Sequence, residues 1–138
     1  MDKFKIRVRA ELENIDEIFN ELPTHTKLPY LSTLELAGVA ALLHNFYNGI
    51  ENILKQMLLS KQIIIPEGKS WHKDILNIAE EEEILSTKLK AKLREYLAFR
   101  HFFSHSYALD LYADKMEPLV ENTESVYAEF KYEIDSFT

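Results

Sequence analysis

A capping box at Ser32-Thr33-Leu34-Glu35 opens the longest helical pattern in the chain, and that pattern constrains the fold more than any other feature. Ser32 can accept a hydrogen bond from the Glu35 amide while the Glu35 side chain reaches back to the Ser32 amide. Two donors that a helix start leaves bare are then satisfied. The helix runs to about Lys61, on the order of 40 Å at about 1.5 Å per residue. Its first half, Leu36, Ala37, Val39, Ala40, Ala41, Leu42 and Leu43, is apolar on nearly every side. Such a helix must be surrounded by others. Gly38 and Gly49 each weaken it by roughly 1 kcal/mol against Ala, and close helix–helix approach is the simplest use for both. His44, Asn45, Asn48 and Glu51 add a polar streak, read as the satisfied edge of a bundle.

The surrounding helices can be read from apolar spacing. Between about residues 6 and 22, Val8, Leu12, Ile15, Phe19 and Leu22 recur at steps of three and four, so all five share one helical face. Pro23 ends that segment, and the Pro29-containing stretch up to Leu31 reads as a loop. Ile63-Ile64-Ile65 has strand propensity. Pro66-Glu67-Gly68 closes it and no second strand is visible, so it reads as a loop tucking apolar side chains under the bundle. Ser70 can cap a short helix from Trp71 to about Ala79, with Ile75, Leu76 and Ala79 inward. His72, Lys73 and Asp74 are then ordinary first-turn polar residues. The acids Glu80 to Glu83 read as a solvated hinge. A further helix from near Ser86 buries Leu89, Leu93, Tyr96 and Leu97. The last, from about Asp114 to Phe137, buries Leu119, Thr123, Val126, Phe130, Ile134 and Phe137, with Pro118 near its first turn, where proline is tolerated. The expected fold is all-α, a bundle of four long helices and one short one, in a single domain over residues 1–138.

Composition narrows the function classes. The chain has no Cys, which excludes disulfides and thiolate zinc sites and suits a cytoplasmic location. No apolar run reaches the roughly eighteen residues of a membrane span, and no basic-then-apolar leader is present. A net charge of −7 argues against a sequence-blind grip on nucleic acid, while leaving room for a local basic patch or a basic protein partner.

One stretch resists explanation by packing: Arg100-His101-Phe102-Phe103-Ser104-His105-Ser106-Tyr107. With the preceding helix continued at about 100° per residue, Arg100 falls about 20° from Leu89 and Tyr107 directly in line with it. An Arg on a core stripe is costly unless its guanidinium is paired or opens onto a cleft. His105 lies about 140° round the helix from Arg100. The two can meet only if the helix breaks within residues 104–107 or if partners meet across a dimer axis. In an unbroken helix Lys90, Arg94, His101 and His105 share a separate basic face. Two other readings of the cluster stand beside this one. Arg100 could pair with a buried acid while the His residues line an interface. Alternatively, His101 and His105, at the i, i+4 spacing of two imidazoles on one ion, could hold a metal, with Asp110 the nearest carboxylate.

Arg100-x4-His105-x-Tyr107 resembles the Arg-x4-His-x-Tyr signature of HepT-like toxins in the HEPN ribonuclease superfamily, and His101 suits the polar residue often found directly after that Arg. The chain length and all-α layout agree. The resemblance implies a toxin that is a metal-independent endoribonuclease, without cofactor, acting as a homodimer whose two motifs line one cleft. It also implies a partner, a nucleotidyltransferase antitoxin of the MNT type, that silences the toxin by transferring AMP to the motif Tyr, here Tyr107. In that scheme His105 is the acid/base, Arg100 clamps the phosphate, His101 is a secondary substrate contact, and Tyr107 positions substrate when unmodified. A reading from another class is a non-catalytic, nucleotide-binding or helper subunit that binds a nucleotidyltransferase.

Overall fold

The computed structural model describes residues 3–68, 71–105, 107 and 110–137. Ser70, the expected cap of the short helix, lies outside them. The elements are α1 (Lys3–Glu21), a 3-10 helix (His25–Tyr30), α2 (Thr33–Ser60), α3 (Trp71–Glu81), α4 (Thr87–His105) and α5 (Ala113–Asp135). Four long helices and one short one are therefore present, and no strand occurs among the described residues. Ile63 and Ile65 lean on the core while Ile64 is exposed, as expected for a loop with tucked apolar side chains.

The axis of the bundle is α2, which packs against α1, α3, α4 and α5. Its start is the capping box: the Glu35 amide donates to Ser32 Oγ at 3.1 Å and the Ser32 amide to Glu35 Oε1 at 2.9 Å. Leu36, Val39, Ala40, Leu43, Phe46, Tyr47, Ile50, Ile53, Leu54, Met57 and Leu58 are buried along it. Against α2, α1 lays Val8, Ile15 and Ile18. Gly49 lets the two helices approach closely, since a Cβ there would come within 2.7 Å of Ile15 Cγ1. Gly38 has no such role, for it faces open space with nothing within 4 Å of a Cβ. The stretch expected as a loop after Pro23 forms a 3-10 helix instead, anchored by the fully buried Leu28 and packed on α5.

The remaining helices are pinned by specific polar contacts. Lys90 Nζ reaches Glu80 Oε1 at 3.0 Å across the α3–α4 turn. Ser86 caps α4 by accepting from the Leu89 amide at 3.1 Å, and its hydroxyl donates to Glu133 of α5 at 2.7 Å. Burial raises the Tyr96 phenol to about 12, and its hydroxyl donates to the Leu119 carbonyl at 2.7 Å, joining α4 to α5. Pro118 sits inside α5, a turn later than its preferred first-turn position. The carbonyl it deprives of a partner, that of Asp114, belongs to an exposed residue that water can serve. No helix among the described residues is long and apolar enough to cross a membrane.

Candidate active site

Arg100 lies half-buried near the end of α4, facing α2. Its Nε–H donates to Oδ1 of Asn48 at 2.8 Å. The partner is a neutral amide rather than the buried acid that one reading expected, and no ion pair among the described residues involves Arg100. An amide oxygen satisfies one donor without cancelling the positive charge. The Nη amines stay available for an anion.

Asn48 Nδ2 stands 3.3 Å from Nδ1 of His44, one turn back along α2. A guanidinium can only donate, so Asn48 turns its oxygen to Arg100 and its amino group to His44. His44 Nδ1 must then be the acceptor, which makes the ring neutral with its proton on Nε2. Burial, and then the Arg100 charge, hold the His44 pKa below its usual value against an opposing pull from the Asn45 side chain. The ring also packs 5.4 Å from that of Phe103. Two members of the polar streak taken for a bundle edge thus belong to the Arg100 site. The i, i+4 spacing of His44 and Asn48 was the available signal.

Deeper in the same region, Tyr47 is fully buried and Glu51 is 3% exposed. Burial, and then the Glu51 carboxylate, push the Tyr47 phenol far above its ordinary range, with Arg100 pulling the other way. Glu51 Oε1 pairs with His72 Nδ1 of α3 at 2.5 Å, which gives a residue read as ordinary first-turn polar a structural role. Among the described residues, the Tyr47 hydroxyl and Glu51 Oε2 have no hydrogen-bond partner of proper geometry.

The outer face of α4 is different. The helix stays unbroken through His105, so His101 and His105 stand exposed side by side, ring centroids 4.5 Å apart. His105 Nδ1 lies 2.8 Å from the His101 carbonyl. A carbonyl only accepts, so Nδ1 carries the proton, and in the neutral ring Nε2 keeps its lone pair. Arg94 is exposed on the same face, while Lys90 is tied to Glu80. Arg100 and His105 remain about 140° apart on one helix.

Tyr107 departs from expectation. It is not on the buried stripe but 81% exposed. The count from Leu89 presumed a helix through residue 107, whereas α4 ends at His105, and the nearby apolar place is taken by buried Leu111. The Tyr107 amide donates to Asp110 Oδ2 at 3.2 Å, and its carbonyl accepts from the Asp110 amide at 2.9 Å. Asp110 is therefore engaged with backbone rather than with the His pair. Among the described residues no three His, Asp or Glu gather as a metal-binding group.

The two sides of α4 divide the chemistry. One presents the remaining donors of Arg100, and the other presents His105 with Nδ1 turned to the His101 carbonyl. Among known proteins, a family model described as HepT-like protein matches residues 38–138, which include Asn48, Arg100, His101, His105 and Tyr107. No curated protein and no solved structure matches the chain.

Proposed function

This chain belongs to the HepT-like family of the HEPN superfamily, and on that premise we propose that it is the toxin of a toxin–antitoxin pair, a metal-independent endoribonuclease working as a homodimer. The observation that carries the reading is the pair of opposed states on α4. Arg100 is fixed by a neutral amide with its Nη donors left over, and His105 is held with Nδ1 protonated and Nε2 free.

In the reaction, His105 Nε2 takes the proton of an RNA 2′-hydroxyl as the 2′-oxygen attacks the adjacent phosphorus. The bond to the 5′-oxygen breaks, and the proton taken up by His105 passes through water to the leaving oxygen, leaving a cyclic phosphate. Arg100 stabilises the charge that builds on the non-bridging oxygens, and His101 contacts the neighbouring backbone. The separation of Arg100 and His105 round one helix supports a cleft shared by two copies. An apolar groove of about 780 Å³ beside the motif, lined by Phe99, Phe102, Tyr112 and Met116 among others, supports a covered surface there. The exposed Tyr107 hydroxyl suits attack on a nucleoside triphosphate held by an MNT-type antitoxin, forming a Tyr–AMP phosphodiester and releasing pyrophosphate. The added bulk and negative charge compete with RNA for the same donors.

The test is cleavage of RNA by purified, unmodified protein, with and without EDTA. The expected result is chelator-insensitive cutting that is lost in Arg100→Ala and His105→Ala. Co-production with the antitoxin should add the mass of AMP, and Tyr107→Phe should abolish that addition. A well-folded, unmodified protein that cuts no RNA would move the chain to the non-catalytic, nucleotide-binding helper class.

A further inference from the structure

We propose that Asn48 and His44 are positioning residues of the Arg100 site: Asn48 holds the guanidinium by Nε so that both Nη amines face an RNA phosphate, and neutral His44 holds Asn48 in the orientation this requires. The substrate part of the inference rests on the ribonuclease reading; the relay itself does not.

The polarity of the relay follows from donor inventories. Arg100 Nε, 2.8 Å from Asn48 Oδ1, can only donate. That fixes Nδ2 toward His44 Nδ1, 3.3 Å away. A proton on His44 Nδ1 would set two donors against each other. The conflict clears only if the Asn48 amide turns over, and that would point its amino group at the Arg100 Nε–H. The relay therefore works with His44 neutral and is broken by its protonation.

Burial first, and then the Arg100 charge, favour the neutral ring, against the Asn45 side chain on α2 itself, which favours the charged one. From α4, Arg100 acts on His44 with like charge, and Phe103 covers the ring. From α1, the Glu11 carboxylate is engaged by Asn52. From α3, His72 is paired with Glu51. Between α2 and α5 the contact is aromatic, through Phe46 and Tyr127. A long, flexible Arg left unheld would sample many rotamers, and misplacement by about 1 Å can cost on the order of 100-fold in rate. A fixed guanidinium is thus worth an extra pair of residues.

The experiment is nitrogen-detected NMR of the full chain without RNA, followed across about pH 5 to 8, the range in which His changes charge. The expected result is a slowly exchanging Arg100 Nε–H and a His44 ring carrying its proton on Nε2 at the upper end. Both signals should change together as His44 protonates. His44→Gln keeps an acceptor for Asn48 but does not titrate, so its Arg100 Nε–H signal should hold steady across the range. Asn48→Ala should exchange fast throughout. Asn48→Asp should restore slow exchange while moving the His44 transition to higher pH, a shift that a merely structural Asn48 does not predict. In RNA cleavage Asn48→Ala should lose up to about 100-fold in kcat/KM. A His44 ring protonated on Nδ1, an Arg100 signal indifferent to Asn48→Ala, or a transition that survives in His44→Gln would overturn the relay. Intact relay signals in a protein that cuts no RNA would sink the ribonuclease reading alone.

Discussion

Arginine and lysine carry the same charge, yet only arginine fits position 100. One donor, Nε, is committed to Asn48 at 2.8 Å, and two amines remain in a rigid plane for an anion. A lysine has one ammonium that must choose between Asn48 and substrate. Arg100→Lys is therefore expected to fold normally but to lose most cleavage, on the order of 100-fold in kcat/KM, as read from initial rates beside a thermal melt. Unchanged rates would remove the guanidinium fork from the mechanism. His44 makes a second prediction at this scale, concerning stability. Its pKa is 6.5 in the unfolded chain and lower in the fold, first through burial and then through Arg100. In the window between the two values the unfolded chain binds more protons. The contribution of neutral His44 is therefore present above 6.5 and is lost as pH falls through the folded value. Urea midpoints should drop more between about pH 7.5 and pH 5.5 in the wild type than in His44→Gln, in line with the range over which His titrates. Equal drops would show that His44 does not carry this linkage.

Two glycines in α2 separate what packing demands from what a helix merely tolerates. At Gly49 an added methyl would meet Ile15, itself 1% exposed, at 2.7 Å. The overpacking penalty of about 1–3 kcal/mol then exceeds the roughly 1 kcal/mol gained in helix propensity. At Gly38 nothing stands in the way, so the propensity gain remains. Chemical denaturation should find Gly49→Ala destabilised and Gly38→Ala stabilised by up to about 1 kcal/mol; two changes of the same sign would contradict this account. From sequence both glycines received the same reading, since neither shows its neighbour. Apolar periodicity did reveal the five α-helices, because stripes such as Val8, Ile15 and Leu89, Leu93, Tyr96 are properties of single segments. It misplaced Tyr107, because the end of α4 at His105 carries no Gly or Pro to announce it. It also missed Asn48 as a partner of Arg100, because that contact joins residues 52 apart on different helices. Arg100, His101 and His105 are legible as a local motif, whereas the residues that support Arg100 are legible only as a polar streak that reads as the satisfied edge of a bundle.

At the scale of the whole molecule, the decisive fact is that α4 is unbroken through His105. Arg100 faces α2 and His105 faces outward, about 140° apart. Under the proposed mechanism, one chain then presents the two groups in different directions rather than to one phosphate and its adjoining 2′-hydroxyl. In the proposed homodimer two-fold symmetry would resolve this, with each site taking its Arg from one copy and its His from the other. Complementation follows directly. Arg100→Ala and His105→Ala should each be inactive alone. When the two are produced together, half of the dimers pair unlike copies, and each of these holds one complete site out of two. About a quarter of wild-type RNA cleavage should return, and dilution to dissociate the dimers should abolish it. Separately purified variants mixed without subunit exchange should stay inactive until exchange is allowed. If co-production restores nothing although mass measurement shows mixed dimers, Arg100 and His105 do not act on the same phosphate from different copies. The shared cleft would then have to be abandoned even with the helical fold and the family membership intact.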